Sequence, residues 1–485
     1  MAEKPNVLMI NVDHWPGALL HCAGQKDILT PTLDQLAENG VRFSNFYSEC
    51  PVCIPARRSL MTGLSPRSHG DRTYSAKMEF PDNTSLAQAF VNAGYQAYGV
   101  GKLHVFPQRN RIGFNDVILA EEARYEFGEV DDYQRWLGEQ GFVGQEYMHG
   151  MGNNAYHTRP WHLPERAHAT NWATMEMVKT IKRKDPTKPA FYYISYQHPH
   201  PPLVPLQQYL DMYDADEIDD PICGDWVDDS YIMQAMCAAA FLHSAKEIKM
   251  AKRAFYALCT HIDHQIRILL GTLREMNLLA NTLIVFTSDH GDMLFDHNMV
   301  AKRSFYEGSA NIPFIISGQP IQKYCGNVDT QLGSLADVMP TILDICGIEL
   351  PKGMDGIALL NEATKPHDII YGEIGEGAQA TRMVTDGQYK LIYYPCGNVF
   401  QMFDLQNDPK EMKNIADCGE MSVIRDALER KMIAHMYGVD AEWIKDGKLV
   451  GFDAPGYQKK ADYLFYNQRG YHWPPPSGYK SKGKS

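Results

Sequence analysis

The sequence predicts an α/β fold: a central, mostly parallel sheet flanked by helices, followed by a smaller C-terminal α+β unit. Short runs of β-branched and aromatic residues alternate with amphipathic stretches along the first 365 residues, the alternation of a parallel sheet covered on both faces. Several of these runs end abruptly in polar clusters. After about Lys365 the texture changes to short strands divided by turn signals such as Asp386-Gly387. The chain has 485 residues, 44% hydrophobic and 22% charged. That is ordinary globular usage, and it excludes a disordered chain, a coiled coil and a collagen-like repeat.

Taken in order, Asn6 to Val12 is an apolar run with the length of a buried strand, and it ends in Asp13-His14. Thr30-Pro31 opens a helix, with Thr as N-cap and Pro at the first helical position. Leu33, Leu36 and Ala37 form its inner stripe, and Gly40 follows its end. Val41 to Tyr47 reads as the next strand. Pro55 suits the first turn of a helix that continues through Arg58, Ser59, Leu60 and Met61 to Gly63. Leu86 to Ala93 is a helix closed by Gly94, and Gln96 to Val100 a strand before Lys102-Leu103-His104. Ala190 to Tyr196 and Thr282 to Thr287 are strands around a long amphipathic stretch, Ala245 to Met276. Beyond Lys365, Arg382 to Thr385, Tyr389 to Tyr394 and Gln401 to Asp404 are short strands, and a helix lies near Met421 to Met436. The expected organisation is a catalytic α/β domain over 1–365, a smaller α+β subdomain over 366–469, and an extended tail over 470–485.

The formal charge of −13 argues against nucleic-acid and anionic-membrane partners. No apolar run approaches the roughly 18 residues that span a bilayer. Val7 to Ile10 is too short for a signal-peptide core and is soon followed by Asp13, so a cytoplasmic protein is expected. Ten scattered Cys in a large chain predict free thiols.

In open α/β sheets, functional groups collect beyond the carboxyl ends of the strands. Four predicted strand ends carry such groups: Asp13-His14, Lys102-Leu103-His104, His198-Pro199-His200 and Asp289-His290. Cys53-Ile54-Pro55-Ala56-Arg57 adds a Cys at a helix N-terminus, where backbone N–H groups favour an anion, and an Arg one turn on.

The run Cys53-x-Pro55-x-Arg57, with Leu60-Met61-Thr62-Gly63 after it, resembles the sulfatase signature. Asn6 to Asp13, Thr30 to Ala37, Gly101-Lys102-Leu103-His104, Ser288 to Asp292, Lys302 with Tyr306-Glu307-Gly308-Ser309, and Asp404-Leu405 through Asp408-Pro409 to Asn414 resemble further family motifs in the family's order. The resemblance spans Asn6 to about Ala416. It implies an alkaline-phosphatase-like fold and hydrolysis of sulfate monoesters, whether of small organic molecules or of carbohydrates.

The resemblance also implies roles. Cys53 is converted to formylglycine by a separate maturation enzyme, and its hydrate attacks sulfur. Asp13, Asp289 and His290, with residue 53, hold one divalent cation: calcium by family, manganese or magnesium as alternatives. His14 stands where many arylsulfatases carry an Asp, and is a ligand, a neighbour of the ligands or a polar strand end. Asp289-His290 looks more like the choline-sulfatase and phosphonate-monoester-hydrolase branch. Arg57 orients the hydrated residue and its metal, while Lys102 and Lys302 line the sulfuryl oxygens. His104 takes a proton from the diol, and His200, with Lys302, protonates the leaving oxygen. His198 lines the pocket, and the prolines after His200 hold that segment extended.

Tyr133, Trp136, Tyr156, His157, Trp161, His162 and Trp172 are candidates for substrate stacking, with the core as the competing place for them. Tyr471-His472-Trp473-Pro474-Pro475-Pro476 suggests a tail that reaches a neighbouring subunit in a homo-oligomer, or a disordered end. Two other functions fit the motifs: a phosphonate monoester or phosphodiester hydrolase using the same nucleophile, and a non-catalytic binding protein on the same scaffold.

Overall fold

The computed structural model describes residues 4–122, 130–227 and 244–453. The predicted tail, with Tyr471 to Pro476, lies outside the described residues.

The central sheet has eight strands: β1 (Asn6–Val12), β2 (Gly40–Phe43), β3 (Gln96–Gly101), β4 (Asp116–Leu119), β5 (Ala190–Ser195), β6 (Thr282–Ser288), β7 (Phe314–Ser317) and β8 (Asn327–Asp329). Their order across the sheet is β4-β3-β5-β1-β6-β7-β2-β8. Neighbours are parallel except β7, which runs antiparallel to β6 and β2. In register, Val7 of β1 faces Phe191 of β5 and Leu283 of β6.

Every residue of β1 is buried. Its side chains alternate between two cores, as the pleat requires. Leu8, Ile10 and Val12 pack on one face with helices α1 (Pro31–Glu38), α4 (Ala169–Lys182) and α5 (Ala245–Glu275). Val7 and Met9 pack on the other with α2 (Cys53–Thr62) and α3 (Leu86–Asn92). A continuous apolar run with helices on both faces is therefore the expected signature, and it is what β1, β5 and β6 carry.

A four-stranded antiparallel sheet follows: β9 (Ile370–Ile374), β10 (Thr381–Thr385), β11 (Tyr389–Tyr394) and β12 (Val399–Asp404). One face carries Val384, Leu391 and Met402 against Leu428 and Met432 of α6 (Ser422–His435). The other carries Met383, Ile392 and Phe403 against Met293, Phe305 and Tyr306, which belong to the large unit. The second sheet thus backs the segment that contains Lys302.

Three local expectations change. The run Val41 to Tyr47 is two strands, because Ser44 and Asn45 leave β2 to bond the Asp329 and Thr330 carbonyls. Phe46–Tyr47 then pairs in parallel with Gly333–Ser334. Thr30 does not cap α1 with its side chain. The carboxylate of Asp263 on α5 accepts from the Thr32 and Leu33 amides instead, at 3.1 and 2.8 Å. Gly40 begins β2, where a Cβ would lie 2.1 Å from the Ile316 carbonyl oxygen of β7. Its glycine is a matter of strand approach, not of helix ending.

The nine cysteines among the described residues are free thiols, as expected. No helix among those residues is long and apolar enough to cross a membrane.

Candidate active site

Strands β3, β5, β1 and β6 are adjacent and parallel, so their carboxyl ends share one edge of the sheet. Asp13-His14 follows β1, Asp289-His290 follows β6, Lys102 follows β3, and His198 and His200 follow β5. Gly101 ends β3 at φ +98, and a Cβ there would meet the Ser195 carbonyl oxygen at 2.0 Å. Only glycine lets the chain turn that closely to place Lys102 beside β1. Helix α2 supplies the remaining piece, with Cys53 as its first residue.

These groups converge. Cys53 Sγ lies 3.2 Å from His290 Nε2 and 4.0 Å from Asp13 Oδ1. His290 Nε2 is 3.6 Å from Asp13 Oδ1 and 3.7 Å from Asp289 Oδ1. Arg57 ties the carboxylates together: its Nε donates to Asp289 at 2.9 Å and an Nη to Asp13 at 3.3 Å. Its other Nη donates to Ser195 Oγ and to the Lys102 carbonyl. Lys102 Nζ is buried between Asp13 Oδ2 at 2.5 Å and Glu122 Oε1 at 2.8 Å. Lys302 Nζ donates to His14 Nε2 and, at 3.3 Å, to His200 Nε2.

Asp13, Cys53, Asp289 and His290 each aim one ligand atom into a common space, all within 4.8 Å of one another. His290 Nδ1 donates to the Gly291 carbonyl, which leaves Nε2 as an electron pair facing two carboxylate oxygens and a sulfur. Donors of that kind facing each other, all buried, fit a divalent cation. Asp13 and Cys53 also belong to a second such group, with His14 and His200. His14 Nδ1 bonds Asp292 at 2.6 Å, the carboxylate–imidazole pairing that orients a ring's other nitrogen.

The electrostatics follow from burial opposed by local charge. Burial would raise the Asp13 carboxyl, but Lys102, His200 and Arg57 hold it well below the usual carboxylate range. Burial also pushes the Cys53 thiol up; Lys302, His290 and Lys102 outweigh it and bring the thiol well below its usual range. Burial raises Asp289, and the neighbouring Asp13 adds to that. For His290 burial is overcome by Asp289 and Cys53, and the net shift is upward. His200 is driven well below 6.5, by burial first, with Glu122 opposing. Its Nδ1 donates to the Pro201 carbonyl, which leaves Nε2 to accept from Lys302.

His104 is not among the side chains whose ligand atoms meet at Cys53. It lines a small cavity with Arg57, Ile54 and Leu103, and its ring stands edge-on to Tyr74 at 6.1 Å. His198 is not among those side chains either; its ring lies 4.9 Å from His168 in a buried histidine group. The His198–Pro199 and Pro201–Pro202 bonds are cis, and the segment turns instead of running extended.

Of the aromatic candidates, Tyr133, Trp136 and Trp172 are core. Trp161 also packs on core residues. Tyr156 is buried in the same core, and its hydroxyl donates to Asp292, the carboxylate that holds His14. His162 bonds the Gln145 carbonyl, and His157 is half-buried.

Sequence reasoning missed Glu122, Asp292 and Ser195 as members of the site. Glu121 and Glu122 follow β4, a strand the sequence reading did not assign; a polar pair after Val117-Ile118-Leu119 was the available signal. Glu121 accepts from the Leu103 and His104 amides at 2.7 and 3.0 Å, which fixes the turn behind Lys102. His14, His104 and Glu122 have φ of 69, 59 and 57. Left-handed backbone at non-glycine residues is uncommon and clusters at functional sites.

A model of the sulfatase family matches residues 5–348. A second, described as the C-terminal part of N-sulphoglucosamine sulphohydrolase, matches 295–437. An arylsulfatase of Clostridium perfringens is 34% identical over 469 residues, covering 92% of this chain and 97% of its own. A choline-sulfatase of Rhizobium meliloti is 27% identical over 435 residues, covering 85% and 83%. The phosphonate monoester hydrolase of Agrobacterium radiobacter shares the fold, with a TM-score of 0.76 at 22% identity over 89% of this chain and 95% of its own.

Proposed function

The chain belongs to the sulfatase family and is a sulfuric ester hydrolase, and on that premise we propose that it hydrolyses sulfate monoesters through a formylglycine made from Cys53, beside one divalent cation. The observation that carries this reading is the convergence of Asp13, Asp289 and His290 on Cys53 at the first residue of α2. The binding-protein alternative falls with the family assignment, since the groups that would react are all present.

Hydrated formylglycine supplies a geminal diol, one hydroxyl for attack on sulfur and one for expelling sulfate as the aldehyde re-forms. A divalent cation held by Asp13, Asp289 and His290 supplies Lewis acidity; calcium leads by family, and manganese or magnesium are the alternatives. Arg57 keeps Asp13 and Asp289 in register through two hydrogen bonds. Lys102 and Lys302 flank the sulfuryl oxygens, where negative charge must be matched by fixed cations. Lys302 Nζ, oriented by His14 and His200, gives a proton to the leaving oxygen. His104 is assigned the diol proton by the family resemblance. Its place behind Ile54 and Arg57 supports a role beside residue 53. The arylsulfatase and choline-sulfatase relatives support an organic sulfate ester as substrate, and the conversion of Cys53 would fall to a separate maturation enzyme.

Mass spectrometry of the Cys53 peptide from the native host, paired with a sulfate-release assay, tests the reading. Formylglycine and turnover are expected. A wholly unmodified thiol together with no sulfate release would overturn it. A second reading, phosphonate monoester or phosphodiester hydrolysis, is favoured by the imidazole of His290 at the ligand cluster. Comparison of kcat/KM on an aryl sulfate and an aryl phosphonate monoester separates the two.

A further inference from the structure

Glu122 is a buried carboxylate that no motif announces. It stands 2.8 Å from Lys102 Nζ and 3.8 Å from His200 Nδ1. It is held there by a left-handed backbone at φ 57 and by Tyr147, whose hydroxyl donates to its carbonyl. Lys102 is thereby shared between Glu122 and Asp13.

Arg57, Lys102 and Lys302 stand among the carboxylates of Asp13, Asp289, Asp292 and Glu122. Glu122 places one negative charge against Lys102 Nζ, so a neutral side chain at this position would leave the site one unit more positive.

That difference divides ester classes. Sulfate monoesters, phosphonate monoesters and phosphodiesters carry one negative charge at the reacting group. Phosphate monoesters carry close to two above a second pKa of about 6. In a buried site with weak screening, one unit of mismatch is expensive. We propose that Glu122 is a specificity-determining residue: by neutralising Lys102 it matches the site to singly charged esters and against phosphate monoesters. The proposal rests on the sulfatase reading of the site and sets the charge class of its substrate.

The test measures affinity of the metal-loaded protein for methyl sulfate and methyl phosphate at about pH 8.5, where the two differ in charge but little in shape. Glu122→Gln keeps the shape and an acceptor for Lys102 while removing the charge. It should raise the phosphate-to-sulfate affinity ratio by about tenfold or more, and Glu122→Asp should return the ratio to wild type. Lys102→Met, which removes the paired cation, should move the ratio the opposite way. This variant judges the proposal if Glu122→Gln fails to fold. An unchanged ratio in Glu122→Gln, or Glu122→Asp behaving like Glu122→Gln, would overturn the assignment. Turnover of an aryl sulfate by matured wild type is measured alongside. Its absence would remove the proposed function, while the affinity ratio still judges Glu122.

Discussion

Arg57 shows what a single residue contributes at this site. Its guanidinium, 3% exposed, spans two carboxylates and a serine hydroxyl. Lysine cannot reproduce a planar fork of that reach. Arg57→Lys is expected to lower kcat/KM about 100-fold and to weaken metal affinity by about 10-fold or more. Metal titration followed by calorimetry checks the second effect, and wild-type affinity would show that Arg57 does not orient Asp13 and Asp289. Residues of this rank were legible in the sequence where neighbours gave them context: Cys53 with Pro55 and Arg57, or Asp289 with His290. Glu122 and Asp292 were not, because their chemistry lies in partners 20 and 278 positions away.

At the scale of elements, strands were legible wherever both faces are buried, since the run is then uniformly apolar. β1 and β11 match their sequence spans residue for residue. Short edge strands such as β8, with its Asn and Asp ends, carry no such signal. Caps were misread where tertiary contacts supply them. Asp263 reaches from α5 to the first turn of α1 and accepts two amides. Asp263→Ala should destabilise the protein by about 1–2 kcal/mol, read as a lower midpoint in urea. Thr30→Ala should cost less than half as much, and the reverse order would return the capping role to Thr30. The C-terminal sheet is joined to the large unit by a buried Lys390, paired with Glu307 at 2.7 Å and Glu411 at 2.6 Å. Glu307 opens the turn five residues after Lys302, so this pair ties β11 to the segment that carries Lys302.

At the scale of the whole molecule, buried histidines set the response to acid. Burial lowers His198 and His149 to about 4 and His261 to about 3. Burial also takes His297 to about 4 and His69 to about 3. Each stays neutral in the fold but takes a proton at about pH 6.5 when the chain unfolds. The unfolded state therefore binds more protons between those values, and stability rises with pH there. The histidine contribution should be complete above about pH 6.5 and be lost progressively as pH falls toward 4, and it should outweigh the opposite trend of Asp131, Asp263 and Asp296, raised by burial to about 6, and of Glu411, raised to about 7. Denaturant midpoints at intervals across that window check the sign; a flat profile would contradict it. His149, His168, His198 and His261 lie in one region, so the loss should begin around α4 and α5.

The sequence by itself determined the α/β class, the strand ends that carry the polar clusters, and the cysteine at a helix start on which those clusters converge. Those features are local: periodicity, turn residues and a short motif are readable without knowing what lies opposite. Only the tertiary structure decided that Lys102 is shared with Glu122, that His200 is a neutral partner of Lys302, and that His14 is held by Asp292. Charge state and orientation depend on burial and on groups distant in the chain. Their physical cause, a low-dielectric pocket assembled at one edge of a parallel sheet, exists only after folding.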